Sequence, residues 1–109
     1  MNNRMNTVQF LGEFKKLQKN ELKTVKIKNA DYADSHDEPF RNFDMSANLA
    51  HITPEQGLLV RMGDKMLRAG NVINSQNPQV KNESISDTLE DLSNYAKLLA
   101  LRIKDNDKV

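Results

Sequence analysis

Apolar positions return at helical spacing along nearly the whole chain. Val8, Leu11, Phe14 and Leu22 recur near the helical period, and Phe10 and Leu17 widen their stripe. They predict a first helix from about Thr7 to about Lys26, with Lys15, Lys16, Lys19 and Lys23 on a solvated opposite face. Lys28 to Arg41 breaks the pattern. Asn29, Asp31, Asp34, Ser35 and Asp37 compete locally for backbone hydrogen bonds, and Pro39 disfavours a helical Glu38, so a loop or broken helix is expected. Phe40 to His51 predicts a short helix with Phe43, Ala47 and Ala50 inward and Phe40 close by.

Thr53-Pro54-Glu55-Gln56 is a helix start, with Thr53 as N-cap, Pro54 at the first helical position and Gln56 closing a capping box. The helix is expected to reach about Ser75. Leu59, Met62, Met66 and Ile73 form its apolar stripe, opposite Arg61, Asp64, Lys65 and Arg68. Gly63 and Gly70 lie on or beside that stripe, where they would permit a close helix crossing. A polar connector leads to a last helix, for which Ser84 to Asp87 offers a second capping box that leaves Glu83 just outside. Ile85, Leu89, Leu92, Ala96, Leu99 and Ile103 then alternate four- and three-residue steps, a heptad-like seam. Lys104 to Val109 is a charged tail expected to fray. The fold class predicted is all-α, a single domain over 1–109 built as a small bundle of about four helices.

Leu98 and Leu101 project from the same side as Asp87, Asp91 and Asn94. A helix with two faces to cover in a 109-residue chain predicts a homo-oligomer.

Composition narrows the class. A net charge of +1 gives no reason to expect nucleic acid or an anionic membrane as partner. There is no cysteine, so disulfides, thiolate zinc sites and Cys nucleophiles are excluded. No apolar run approaches the ~20 residues of a membrane span. With no signal peptide visible, a cytoplasmic protein is expected.

The carboxylates carry the candidate chemistry. Glu83, Asp87 and Asp91 stand at four-residue intervals with Asn94 a turn further on, one narrow stripe if helical. Each like-charged pair costs about 0.2–0.5 kcal/mol unless a cation relieves it. Mg²⁺ takes oxygen ligands in octahedral geometry, and these acids with Asp64 would supply a cluster, leaving Arg61, Lys65 and Arg68 for phosphates. Ordinary ion pairs between two antiparallel helices would account for the same charges. His36-Asp37 resembles a phosphohydrolase pair, but His51 is the only other histidine. A nucleophile elbow and a Gly-rich phosphate loop are both missing.

Four blocks in order, K-N-A-D-Y (28–32), F-R-N-F (40–43), R-M-G-D-K-M-L-R (61–68) and E-S-I-S-D-T-L-E-D-L-S-N-Y (83–95), resemble the phage and bacterial nucleotide modification associated domain 1 family. The resemblance covers roughly residues 26 to 100. It implies a small all-helical protein, often phage-encoded and then resident in the host cytoplasm, associated with nucleotide metabolism or base modification. The acidic helices are also similar to those of the all-α nucleoside triphosphate pyrophosphohydrolases of the MazG kind. That family holds Mg²⁺ with an E-x-x-E block on one helix and an E-x-x-D block on the next. Here only Asp64 stands in place of the first block, and the second reads E-x-x-x-D-x-x-x-D, a departure that bears on catalysis more than on fold.

If the enzymatic likeness holds, Asp64, Glu83, Asp87 and Asp91 are the metal ligands. Arg61, Lys65 and Arg68 then take phosphate oxygens, and Asn94 or Tyr32 takes sugar or base. Two non-enzymatic readings stand beside it. One is a binder that sequesters a nucleotide or a nucleotide-derived immune signal; the other is an inhibitor of a host protein acting through the acidic segment Asp31 to Glu38.

Overall fold

Four α-helices account for the architecture: α1 (Thr7–Ala33), α2 (Arg41–Leu49), α3 (Pro54–Asn74) and α4 (Pro78–Asn106). The computed structural model describes residues 3–33, 37–76 and 78–106, with backbone only at 30–33 and 78–84. No strand occurs among the described residues, so the all-α expectation holds. None of the described helices is long and apolar enough to cross a membrane.

Local chemistry sets the helix starts. At α1 the Asn6 side-chain Oδ1 accepts from the Gln9 backbone N–H at 2.9 Å, while the Gln9 side-chain Oε1 accepts from the Asn6 backbone N–H at 3.0 Å. Thr53 and Gln56 close the same reciprocal box at α3, at 3.1 and 2.9 Å, with Pro54 at its first position. Between α2 and α3, His51 adopts φ 59°, the left-handed region. The Ile52 N–H then reaches the Ala47 carbonyl and the His51 N–H reaches that of Asn48, a Schellman closure that satisfies the last carbonyls of α2 and turns the chain into α3.

Several boundaries differ from the sequence expectation. The first helix does not stop near Lys26 but runs to Ala33, carrying Asn29, Asp31 and Tyr32 as helical residues. Once a helix is nucleated each added residue gains a hydrogen bond, and the few tenths of a kcal/mol lost at Asn and Asp do not stop it. Asp34 to His36, the middle of the acidic segment, lie outside the described residues. α4 begins at Pro78 and not at Ser84, so Glu83 lies inside the helix. Proline suits a first turn, and it starts the helix before the Ser84 box is reached. Lys104, Asp105 and Asn106, expected to fray, are helical.

The packing faces are rotated from those expected. On α3 the buried residues are Leu58, Ala69 and Val72, while Leu59, Met66 and Ile73 are exposed. On α4 the buried residues are Thr88, Asn94 and Leu98, while Leu89, Ala96 and Ile103 are exposed. A shift of one position turns a helix by about 100°. The sequence stripes are real, but they flank the line along which α3 and α4 meet. Ala50, expected inward on α2, is exposed.

The core gathers Phe40, Phe43, Leu58 and Leu98, with Tyr95 and Leu99 against it. It sits where the α1–α2 linker, α2, the start of α3 and the second half of α4 converge. Leu98 is covered by this cluster, whereas Leu101 on the same side of α4 stays exposed. α1 contributes less, lying on α4 by its C-terminal half. The grooves along that contact hold about 290 and 310 Å³.

Candidate functional site

Antiparallel α3 and α4 bring charged and aromatic side chains into one strip. Lys65 Nζ lies 2.9 Å from Asp91 Oδ2, with the lysine side chain only 19% exposed. One turn back along α3, the Arg61 guanidinium stands 5.3 Å from the Phe43 ring centre and 5.9 Å from that of Tyr95. The two rings hold the cation by its face, worth about 0.5–1 kcal/mol at an exposed site. No carboxylate pairs with Arg61 among the described residues. Its planar fork of N–H donors is therefore presented to solvent on a fixed support.

Beside Arg61 the α2–α3 junction forms a groove of about 180 Å³, lined by Phe43, Ala47, Ile52, Gly57, Leu58 and Arg61 among others. A side chain at Gly57 would reach into it, its Cβ at 3.8 Å from both Ala47 and Ile52. The volume falls short of the ~300 Å³ of a pocket for a whole small ligand. It suits one apolar ring, with the rest of a molecule lying outside along α3.

The residues expected at a site divide into groups. Arg61, Lys65 and Asp91 are brought together. Asp64, Arg68 and Asp87 are exposed nearby, free of ion pairs among the described residues. Asn94 is 9% exposed and faces the α1–α4 groove with Gln18, Glu21 and Val25, and its Oδ1 has no hydrogen-bond partner among the described residues. Glu83 and Tyr32 belong to helices, and their side chains lie outside the described residues. Among the described residues no three of His, Asp and Glu converge as metal ligands. On Asp91 the Lys65 ammonium holds the position a cation would need.

Sequence reading missed Phe43 and Tyr95 as the support of Arg61. The signal was present in F-R-N-F and in Tyr95 one turn from Asp91, but aromatics at helical spacing read first as core. It also missed the ties that fix the strip's far end. Arg102 donates from Nε to Asp44 Oδ1 at 2.9 Å and from Nη2 to Oδ2 at 3.3 Å, and its guanidinium lies 5.9 Å from the Phe40 ring centre. Hydrogen bonding to Asp44 raises the Arg102 pKa, so it stays charged at any ordinary pH. Asn106 Nδ2 donates to Glu55 Oε1 at 2.7 Å. The Glu55 backbone N–H, this amide and the Arg102 charge together hold the Glu55 carboxyl below its ordinary 4.5.

Comparison with known protein families, curated proteins and solved structures returns no match.

Proposed function

We propose that this protein binds a nucleotide or nucleotide-derived small molecule, as a homo-oligomer acting in nucleotide metabolism. One observation carries the reading: the Arg61 guanidinium, held over Phe43 and Tyr95 without a carboxylate partner among the described residues, at the lip of an apolar groove. A planar base fits the slot walled by Phe43 and Gly57. Phosphates then follow the cations Arg61, Lys65 and Arg68 along α3. Asp91 orients Lys65, and the exposed Asp64 and Asp87 are placed to accept from ribose or base donors.

Binding without turnover is the favoured form, because the carboxylate best placed to hold a metal already holds a lysine. Mg²⁺-dependent hydrolysis remains the competing form, in which Lys65 would leave Asp91 and Glu83 would join it.

A thermal-shift panel of nucleotides, run with Mg²⁺ and again with EDTA, separates these forms. A ligand at a hundred times its Kd adds about 2.7 kcal/mol. The expected result is a shift that survives EDTA and disappears in Arg61→Gln. A shift that requires Mg²⁺ would instead establish the metal form and call for a pyrophosphate assay. No shift with any nucleotide would overturn the reading.

A further inference from the structure

The stripes that look like packing seams in the sequence are the surfaces this chain leaves uncovered. α1 and α2 touch each other and lie on the same face of the α3–α4 hairpin. α2 meets α3 at Gly57, Leu58 and Arg61, and α1 meets α4 at Asn94, Leu98 and Leu101. The hairpin is antiparallel, as Lys65–Asp91 and Glu55–Asn106 show. Viewed down one axis, antiparallel helices wind in opposite senses, so equal rotations away from the covered side bring both helices to one opposite face. At about 100° per residue, that rotation reaches Leu59, Met66 and Ile73 on α3, and Leu89, Ala96 and Ile103 on α4.

The five large side chains of this set are each between 45% and 60% exposed. Met62, Ile85, Leu92 and Leu99 are half-buried alongside them. Charged residues are missing from these positions. Gly63 and Gly70 border the face, and nothing lies within 4 Å of where a side chain would begin at either.

We infer that this face is the interface of a two-fold dimer, in which two α3–α4 hairpins stack as a four-helix bundle. A second copy is the occupant the observations select. The face is self-complementary, being apolar throughout, and α4 repeats on the 3.5-residue period that matches another helix. Its extent agrees. The 21 residues of α3 span about 30 Å, and two adjacent helices are roughly 20 Å wide. About 600 Å² per chain, or ~1,200 Å² in all, reaches the lower bound of stable protein interfaces. A monomer would leave this area as one apolar patch at the upper end of what soluble monomers show.

The inference rests on the homo-oligomer part of the proposed function and is independent of the nucleotide part. The candidate binding strip lies on the α2 side of the hairpin, away from this face, so a monomeric variant can still be screened for ligand.

Sedimentation equilibrium of the full chain is the test. The wild type is expected at twice the 12.5 kDa chain mass. Met66→Glu and Leu89→Glu place charges on side chains that are exposed in one chain and buried in the dimer. Each is expected to keep its helical circular dichroism and to weaken association by roughly 100-fold or more, the effect of burying an unpaired charge. Phe14→Glu, on the uncovered part of α1, is expected to leave the dimer intact. A monomeric wild type would overturn the inference, as would dimers that survive both Met66→Glu and Leu89→Glu. Dissociation by Phe14→Glu with no effect of the other two would move the interface to α1.

Discussion

α3 and α4 hold each other along most of their length, whereas α1, nearly as long as α4, is held at one end. Glu55–Asn106, Arg61–Tyr95 and Lys65–Asp91 mark successive levels of the hairpin, and Ala69, Val72 and Thr88 are buried beyond them. α1 meets α4 around Glu21 and Val25, where Glu21 is paired with Lys97. Toward its N-terminus Val8, Phe10, Leu11 and Phe14 are each more than half exposed.

The two helices are equally amphipathic to the eye, so the difference lies in what faces them. α1 runs parallel to α4, with Gln18 near Asn94, Glu21 paired with Lys97 and Asn29 near Asp105. The same register brings Phe14 and Leu11 level with Glu90 and Asp87. Two turns of phenylalanine and leucine gain nothing against carboxylates, which must stay hydrated. Apolar periodicity makes a helix; only a matching surface at the right level makes a packed one.

The largest test of this contrast is Leu58→Ala. Leu58 is 1% exposed, and losing its side chain leaves a cavity at the junction of α2, α3 and α4. Chemical denaturation is expected to show a loss of about 2–5 kcal/mol. A loss below 1 kcal/mol would mean the hairpin junction is not the centre of stability. Next comes His51→Gly, at the left-handed residue that turns the chain into α3. Removing the Cβ relieves a conformational cost of about 1–2 kcal/mol, so a gain of up to about 1 kcal/mol is expected after the added freedom of the unfolded chain is counted. An unchanged or lower Tm would show that the imidazole makes a compensating contact.

Phe14→Ala sharpens the other side of the comparison. In the Met66→Glu background, where chain association is removed, it is expected to change stability by less than about 0.5 kcal/mol. A core-sized loss would show that α1 docks more fully than its exposure indicates. The smallest expected effect is a pH dependence. The folded-state pKa of Glu55 is depressed, so its contribution is present above its unfolded value near 4.5 and lost as pH falls through the folded value. Melting curves of the wild type and Glu55→Gln are expected to converge as the pH is lowered through that window. Parallel curves would remove Glu55 from the ties at the hairpin's open end.

The sequence was a good guide to local structure and a partial guide to the site. Thr53, Pro54 and Gln56 located the start of α3 because capping is decided within four residues. Pro78 was passed over as a helix start because a second capping pattern, Ser84 to Asp87, followed it. The rotation of the α3 and α4 faces was not legible. Two apolar lines a residue apart differ little in hydrophobicity, and which one turns inward depends on Phe40, Phe43 and α1, all distant in sequence. At the site, Lys65 and Asp91 were both visible as charges on facing helices. Their pairing, and the aromatic seat of Arg61, depended on a register that sequence periodicity does not supply.

The Arg102–Asp44 pair has a consequence for the order of folding. Its partners are 58 residues apart, and Asn106 reaches back 51 residues to Glu55. Phe40 and Leu58 likewise wait for Leu98 to complete their cluster. During synthesis α1, α2 and α3 emerge before any of these closures is possible, and only the α1–α2 and α2–α3 contacts can form ahead of α4. The core closes only when the last turns of α4 are free to fold back, and the loop-closure entropy of that step sets the folding rate more than the helices do.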